Sequence, residues 1–257
     1  MSGVDPRAIP AAVTFLFGLL VGSFLNVVIA RVPERRSIVH PGSTCPGCGR
    51  AIAWYDNIPL LSFALLRGQC RTCRMGIAWR YPIIELATGI LWTLAWITWG
   101  PSAEFAVGLV FLSSLVAITA IDLERQIIPD VITLPGILVG FCASMATGRV
   151  AWWDSLVGIV IGGGIFLVII LASGGGMGGG DMKLGAMFGA FLGWKVTLVA
   201  LFVAVVLGGL LAVVLLVSGL VRRKDPIPFG PFLATGGAVG LVWGEQIIRW
   251  YLSGFGD

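Results

Sequence analysis

The chain has 257 residues, 57% of them hydrophobic and only 12% charged, with a mean hydropathy of +0.96. Soluble domains usually carry about 25% charged residues, so the composition excludes an ordinary water-soluble enzyme. The net charge of +4 reads as a membrane-orientation signal and calls for no nucleic acid.

A membrane helix needs about 20 mostly apolar residues. By that measure the sequence predicts eight segments, at residues 9–30, 81–99, 104–121, 130–147, 152–173, 182–194, 196–220 and 229–251. The sixth is short and interrupted by Gly185, Gly189 and Gly193. The alternating pattern of a β-barrel is absent. The first segment reads as a retained helix, because no small-residue cleavage site follows it. The expected fold is therefore an all-α polytopic membrane protein with a small insert between its first two helices. It divides into a first helix (1–30), the insert (31–80) and a helical bundle (81–257).

Charge sets the expected orientation. Thirteen of the 17 basic residues fall on one side, among them Arg31, Arg50, Arg80, Arg125, Lys183, Arg222, Arg223 and Lys224. The positive-inside rule makes that side cytoplasmic and puts both termini outside.

The insert contains "CPGCG" and "CRTC". Cys45 and Cys48 form one C-x-x-C, Cys70 and Cys73 a second, with 21 residues between them. Four thiolates suit a closed tetrahedral Zn²⁺ site, and a cytoplasmic location disfavours disulfides. A redox pair or two disulfides are the other readings. Too little apolar sequence surrounds the cysteines for a sizeable core, so metal ligation would supply folding free energy. Trp54 and "NIPLLSF" (57–63) are expected either to pack on the membrane surface or to cover the knuckles. Cys142 reads as a small apolar filler, and His40 as a surface residue.

Most acidic residues have ordinary explanations. Asp130 looks like a helix N-cap, Glu104 and Asp154 lie near helix ends, and Asp225 belongs to a charged turn. Asp122 closes the apolar run "LVAITAID", and Asp181 follows the glycines of "GGGMGGGDMK" (174–183). Each has a plain reading, a helix-end charge and an N-cap. Each is also an ionisable group at membrane depth, a functional candidate by default. Two carboxylates sharing a proton split their pKa values, so one acts as base on water and the other as acid toward a carbonyl. With His40 on the insert, no Ser-His or Cys-His arrangement competes.

The stretches "DLERQIIPD" (122–130) and "GGGDMK" (178–183) resemble the two aspartate motifs of the bacterial type 4 prepilin leader peptidases, of the G-x-G-D intramembrane aspartyl class. "GSFLNVVIARVP" (22–33), the double C-x-x-C, "NIP" (57–59), "LRGQC" (66–70) and "YPIIE" (81–85) are similar to that family as well. The resemblance implies that Asp122 and Asp181 are catalytic. It also implies that Gly178, Gly179 and Gly180 contact substrate, glycine permitting close approach and φ > 0. The implied substrates are prepilins or pseudopilins with a short basic leader, cut at the cytoplasmic face of the inner membrane.

Relatives with the four-cysteine loop resemble bifunctional enzymes that also N-methylate the new amino terminus using S-adenosylmethionine. No Rossmann fingerprint is present, so the cofactor would bind differently, between insert and bundle. Arg67, Gly68 and Glu85 are the candidates for it, with Glu34 as a further proton acceptor. Glu85 has a second reading as a structural charge paired with Arg80. An ion-coupled transporter with a regulatory zinc loop is the alternative from another class, although no inverted repeat supports it. A scaffold for a pilus or secretion partner is a third. The oligomeric state is not encoded in any feature of the sequence.

Overall fold

The computed structural model describes residues 8–174, 177–220 and 227–254. Among them every regular element is helical: α1 (Ala8–Arg31), α2 (Leu61–Leu65), α3 (Arg80–Trp99), α4 (Ala103–Arg125), α5 (Asp130–Thr147), α6 (Trp152–Ala172), α7 (Gly179–Val217) and α8 (Gly230–Ser253). A 3₁₀ turn covers Trp54–Asn57, and extended pairing is limited to the isolated bridges Thr44–Ala51 and Gln69–Gly76. Six described helices, α1 and α3 to α7, are long and apolar enough to cross a membrane. The chain forms two compact units, Met1–Ala117 and Ile118–Asp257, divided inside α4.

In the first unit, α1 and α3 pack antiparallel along a line of small residues. A Cβ at Gly18 would fall 2.7 Å from the Gly89 Cα, and one at Gly22 would fall 2.6 Å from the Glu85 Cα. Glycine lets membrane helices approach this closely. Asn26, one turn further on, donates from Nδ2 to the Gly22 and Tyr81 carbonyls, each at 3.2 Å.

In the second unit α7 is central. The first half of α7 crosses α6 where Gly158 meets Gly189 and Gly162 meets Gly185, and a Cβ fits at none of these positions. At Gly193 the backbone takes φ 71° and ψ 169°. Positive φ is where glycine is needed, and there the chain turns back. Leu192 and Ala200 both lie against Gly240, and Gly185 and Thr197 both lie against Gly162. The predicted sixth and seventh segments are therefore two arms of one hairpin, consecutive in sequence with no loop between them. The first arm, residues 179–192, is about 21 Å long at about 1.5 Å per residue, less than the ~30 Å hydrocarbon layer. Two serines secure the turn: Ser144 and Ser155 each donate to the Ala190 carbonyl at 2.9 Å.

Three expectations change. Asp130 is not an N-cap: Pro129 holds that position, and Asp130 is the first helical residue. Cys142 is exposed on α5 and fills no core. The eighth predicted segment is the 24-residue helix α8, but it is not among the six apolar enough to qualify as spans. Arg222, Arg223, Lys224 and Asp225 lie outside the described residues.

Candidate active site and thiolate cluster

Asp122 sits in the last turn of α4 and is 5% exposed. The Gly230 N–H, at the start of α8, donates to its Oδ2 at 2.8 Å. The first N–H groups of a helix have no partner within it, so the end of α8 offers a donor that a carboxylate can use. A Cβ at residue 230 would fall 2.6 Å from that oxygen, which is why only glycine suits the position.

Asp181 is the third residue of α7 and is 9% exposed. Gly178 is the N-cap of this helix, and the Asp181 N–H donates to its carbonyl at 3.2 Å. Asp181 thus lies inside the first turn and is not the cap. Asp122 and Asp181 come from different helices and lie within electrostatic reach of each other.

The segment that follows Asp122 runs back onto the segment around Asp181. A Cβ at Gly180 would fall 2.7 Å from the Ile128 Cβ and 3.3 Å from its carbonyl oxygen. Lys183 Nζ contacts both Asp130 oxygens, at 2.6 and 2.7 Å. Together these contacts fasten the two aspartate motifs to each other. The glycines differ from expectation in one respect. Gly178, Gly179 and Gly180 do not use positive φ; Gly180 is needed for packing on Ile128, whereas the space beside Gly179 is open. The sequence reading missed both the Gly230 donor and the Asp130–Lys183 pair. The "PFGPF" start of α8 gives no local sign that it touches Asp122, and the ion pair joins residues 53 apart.

The insert, in the first unit, brings its four cysteines together. The sulfurs of Cys45, Cys48, Cys70 and Cys73 lie within 4.8 Å of one another, with Cys45 and Cys73 at 3.7 Å. A tetrahedral site with Zn–S bonds of about 2.3 Å needs sulfurs about 3.8 Å apart, so the cluster fits that ion. Both halves share one turn. The Gly49 N–H donates to the Cys45 carbonyl, and the Arg74 N–H donates to the Cys70 carbonyl. Gly49 and Arg74 both take positive φ. The N–H groups of Cys73 and then Thr72 aim at the Cys70 sulfur and hold its thiol at about 6. Arg71 clamps Asp56 through two nitrogens, at 2.6 to 3.0 Å, and so ties the second knuckle to the 3₁₀ turn. His40 is on the surface, as expected.

Of the three cofactor candidates, Arg67 and Gly68 line a cavity of about 490 Å³, together with Phe63, Gln69, Ile77 and Trp79. Arg67 and Gly68 both take positive φ, and this bend shapes the cavity wall. Glu85 is not among the lining residues. It is 7% exposed and accepts from the Leu60 N–H at 2.9 Å, and Ser23 bonds to it as well.

Two family models match the chain: the bacterial peptidase A24 N-terminal domain over residues 16–99, and the type IV leader peptidase family over 109–213. Three similar curated proteins are each named prepilin leader peptidase/N-methyltransferase. The one from Aeromonas salmonicida (strain A449) is 36% identical, covering 94% of each chain. The one from Myxococcus xanthus (strain DK1622) is 42% identical over 81% of this chain and 64% of its own. The one from Bacillus subtilis (strain 168) is 34% identical over 94% and 97%. No solved structure gives a significant match. The comparisons lend nothing to the transporter alternative.

Proposed function

Because the chain belongs to the type IV leader peptidase family, we propose that it is a membrane-embedded aspartyl peptidase for prepilins or pseudopilins, and that it also methylates the amino terminus it creates. The observation that carries the peptidase reading is the pair Asp122 and Asp181: two nearly buried carboxylates from different helices, within reach of each other. In the hydrolysis, one carboxylate takes a proton from water as the water oxygen adds to the scissile carbonyl. The other, protonated, gives its proton to the carbonyl oxygen. A proton then passes to the amide nitrogen, the C–N bond breaks, and a carboxylic acid and a free amine remain. The Gly230 N–H orients Asp122, leaving its other oxygen for water or substrate. Gly178, Gly179 and Gly180 would border the bound segment, and the open space beside Gly179 supports this.

The new α-amine has an ordinary pKa near 8, so about a tenth is neutral at pH 7. S-adenosylmethionine supplies the methyl group when bound. Arg67 and Gly68 would hold it in this open pocket of about 490 Å³. The guanidinium suits a carboxylate, and the ring of Phe63 suits an aromatic base. Glu85 would then act from beside α2, as a charge that sets the insert's position and not as a cavity wall. Cys45, Cys48, Cys70 and Cys73 would hold a structural Zn²⁺.

In this reading residues 1–30, 31–80 and 81–257 are the first helix, the zinc insert and the peptidase bundle. The eight-span count takes the two arms of α7 and α8 as spans. As a member of this family the protein would lie in a bacterial inner membrane, and the charge distribution favours insert and dyad on the cytoplasmic side with both termini outside. The test is the mass of a prepilin co-expressed with the protein, which reports cleavage and methylation together. An unprocessed prepilin would overturn the peptidase reading; a cleaved but unmethylated one would overturn the second activity.

A further inference from the structure

The five-residue helix α2 has a fixed place beside a membrane helix. The Leu60 N–H, at its N-cap, donates to Glu85 Oε2, and Glu85 is the sixth residue of α3. At about 1.5 Å per residue, Glu85 lies about 7.5 Å past the start of that helix, which is apolar enough to cross a bilayer. The insert therefore folds back, so that the start of α2 meets the second turn of a spanning segment.

The two sides of α2 differ. Ser62 is buried, its hydroxyl donating to the Tyr55 carbonyl at 2.9 Å and accepting from the Ile58 N–H at 3.0 Å. Leu61 and Leu65, four residues apart on one stripe, are 51% and 73% exposed. Trp54 is 81% exposed, and Trp79, the residue before α3, is 71% exposed. Side chains that covered the thiolate knuckles would be buried by them, and these are not. Between residues 44 and 80 the chain carries five arginines and a single acidic residue, Asp56.

We propose that α2, flanked by Trp54 and Trp79, lies in the headgroup layer of an anionic phospholipid leaflet and seats the cysteine knuckles on the membrane surface. Three features converge on lipid as the occupant. The short helix starts against a helix apolar enough to cross a membrane. Tryptophan is enriched at the headgroup level. Arginines beside a short apolar face attract anionic lipids.

Photo-crosslinking of the full-length protein tests this. Benzoylphenylalanine would replace Leu65, Trp54 or, for comparison, Arg50 on the first knuckle. Each variant would be placed in nanodiscs of phosphatidylcholine and phosphatidylglycerol, after a check that its protease resistance equals the parent's. Irradiation is expected to give lipid adducts at Leu65 and Trp54 well above those at Arg50, as for side chains buried at the headgroup boundary. Equal yields at Leu65 and Arg50 would overturn the proposal. So would loss of the lipid adduct in favour of a prepilin adduct when a purified prepilin is added, because the face would then be a substrate dock.

Discussion

The Gly230 N–H and Asp122 Oδ2, 108 residues apart in the chain, meet at 2.8 Å. The contact fixes one carboxylate of the dyad from the start of α8. In Gly230→Ala the new Cβ would lie 2.6 Å from that oxygen and 2.9 Å from Cγ, so the carboxylate must move. Leader removal is expected to slow by about 10²-fold, the cost of a small misplacement of a reacting group, with membrane insertion unchanged. A time course on a purified prepilin reads the effect, and a parental rate would mean that α8 does not position Asp122.

Asp122→Asn and Asp181→Asn are each expected to abolish cleavage while the protein still inserts. An asparagine at 122 can still accept from the Gly230 N–H, and the packing of α6, α7 and α8 rests on their glycine contacts. Processing by either variant in a gel assay would remove the dyad from the mechanism.

The Asp130–Lys183 pair is partly open to solvent, with side chains 55% and 29% exposed, so its effect on stability is expected to stay within about 1 kcal/mol. Its effect on cleavage should be larger, because it fastens the two aspartate motifs. Asp130→Asn and Lys183→Gln are each expected to slow turnover several-fold. The exchange Asp130→Lys with Lys183→Asp is expected to recover part of the loss. If the exchange is no better than the single variants, the pair is not a clamp.

Gly180→Val places a branched side chain against Ile128 and should separate the two motifs, cutting cleavage sharply. Gly175→Ala, at a position outside the described residues, is expected to be tolerated. Turnover at matched expression distinguishes them. A fast Gly180→Val enzyme would show that Ile128 can yield without cost to the site.

Purified protein is expected to carry about one zinc per chain, the stoichiometry of a closed four-thiolate site, and to lose it in Cys45→Ser or Cys70→Ser. Methylation should fall more than cleavage, since the cavity at Arg67 and Gly68 belongs to the insert and the dyad does not. Zinc-free parental protein with intact cysteines would count against the structural ion. An equal loss of both activities would count against the division of labour.

What could be read from the sequence was carried by local and periodic signals. Apolar run lengths located α1 and α3 to α6 to within a few residues, because crossing hydrocarbon imposes a length on any helix. Paired C-x-x-C spacing foretold the thiolate cluster, because a knuckle is a local turn. The ionisable residues in apolar context, Asp122 and Asp181, stood out because such groups are costly there. The remaining features depend on contacts between distant segments, which no window of sequence contains. The turn at Gly193 looked like one of three interrupting glycines, and only its φ of 71° separates it from Gly185 and Gly189, which are there for helix crossing. The role of Asp130 changed from cap to ion-pair partner because Lys183 reaches it from another helix. Tertiary packing likewise brought the Gly230 donor to Asp122, since a helix end finds its partner in space and leaves no mark in composition.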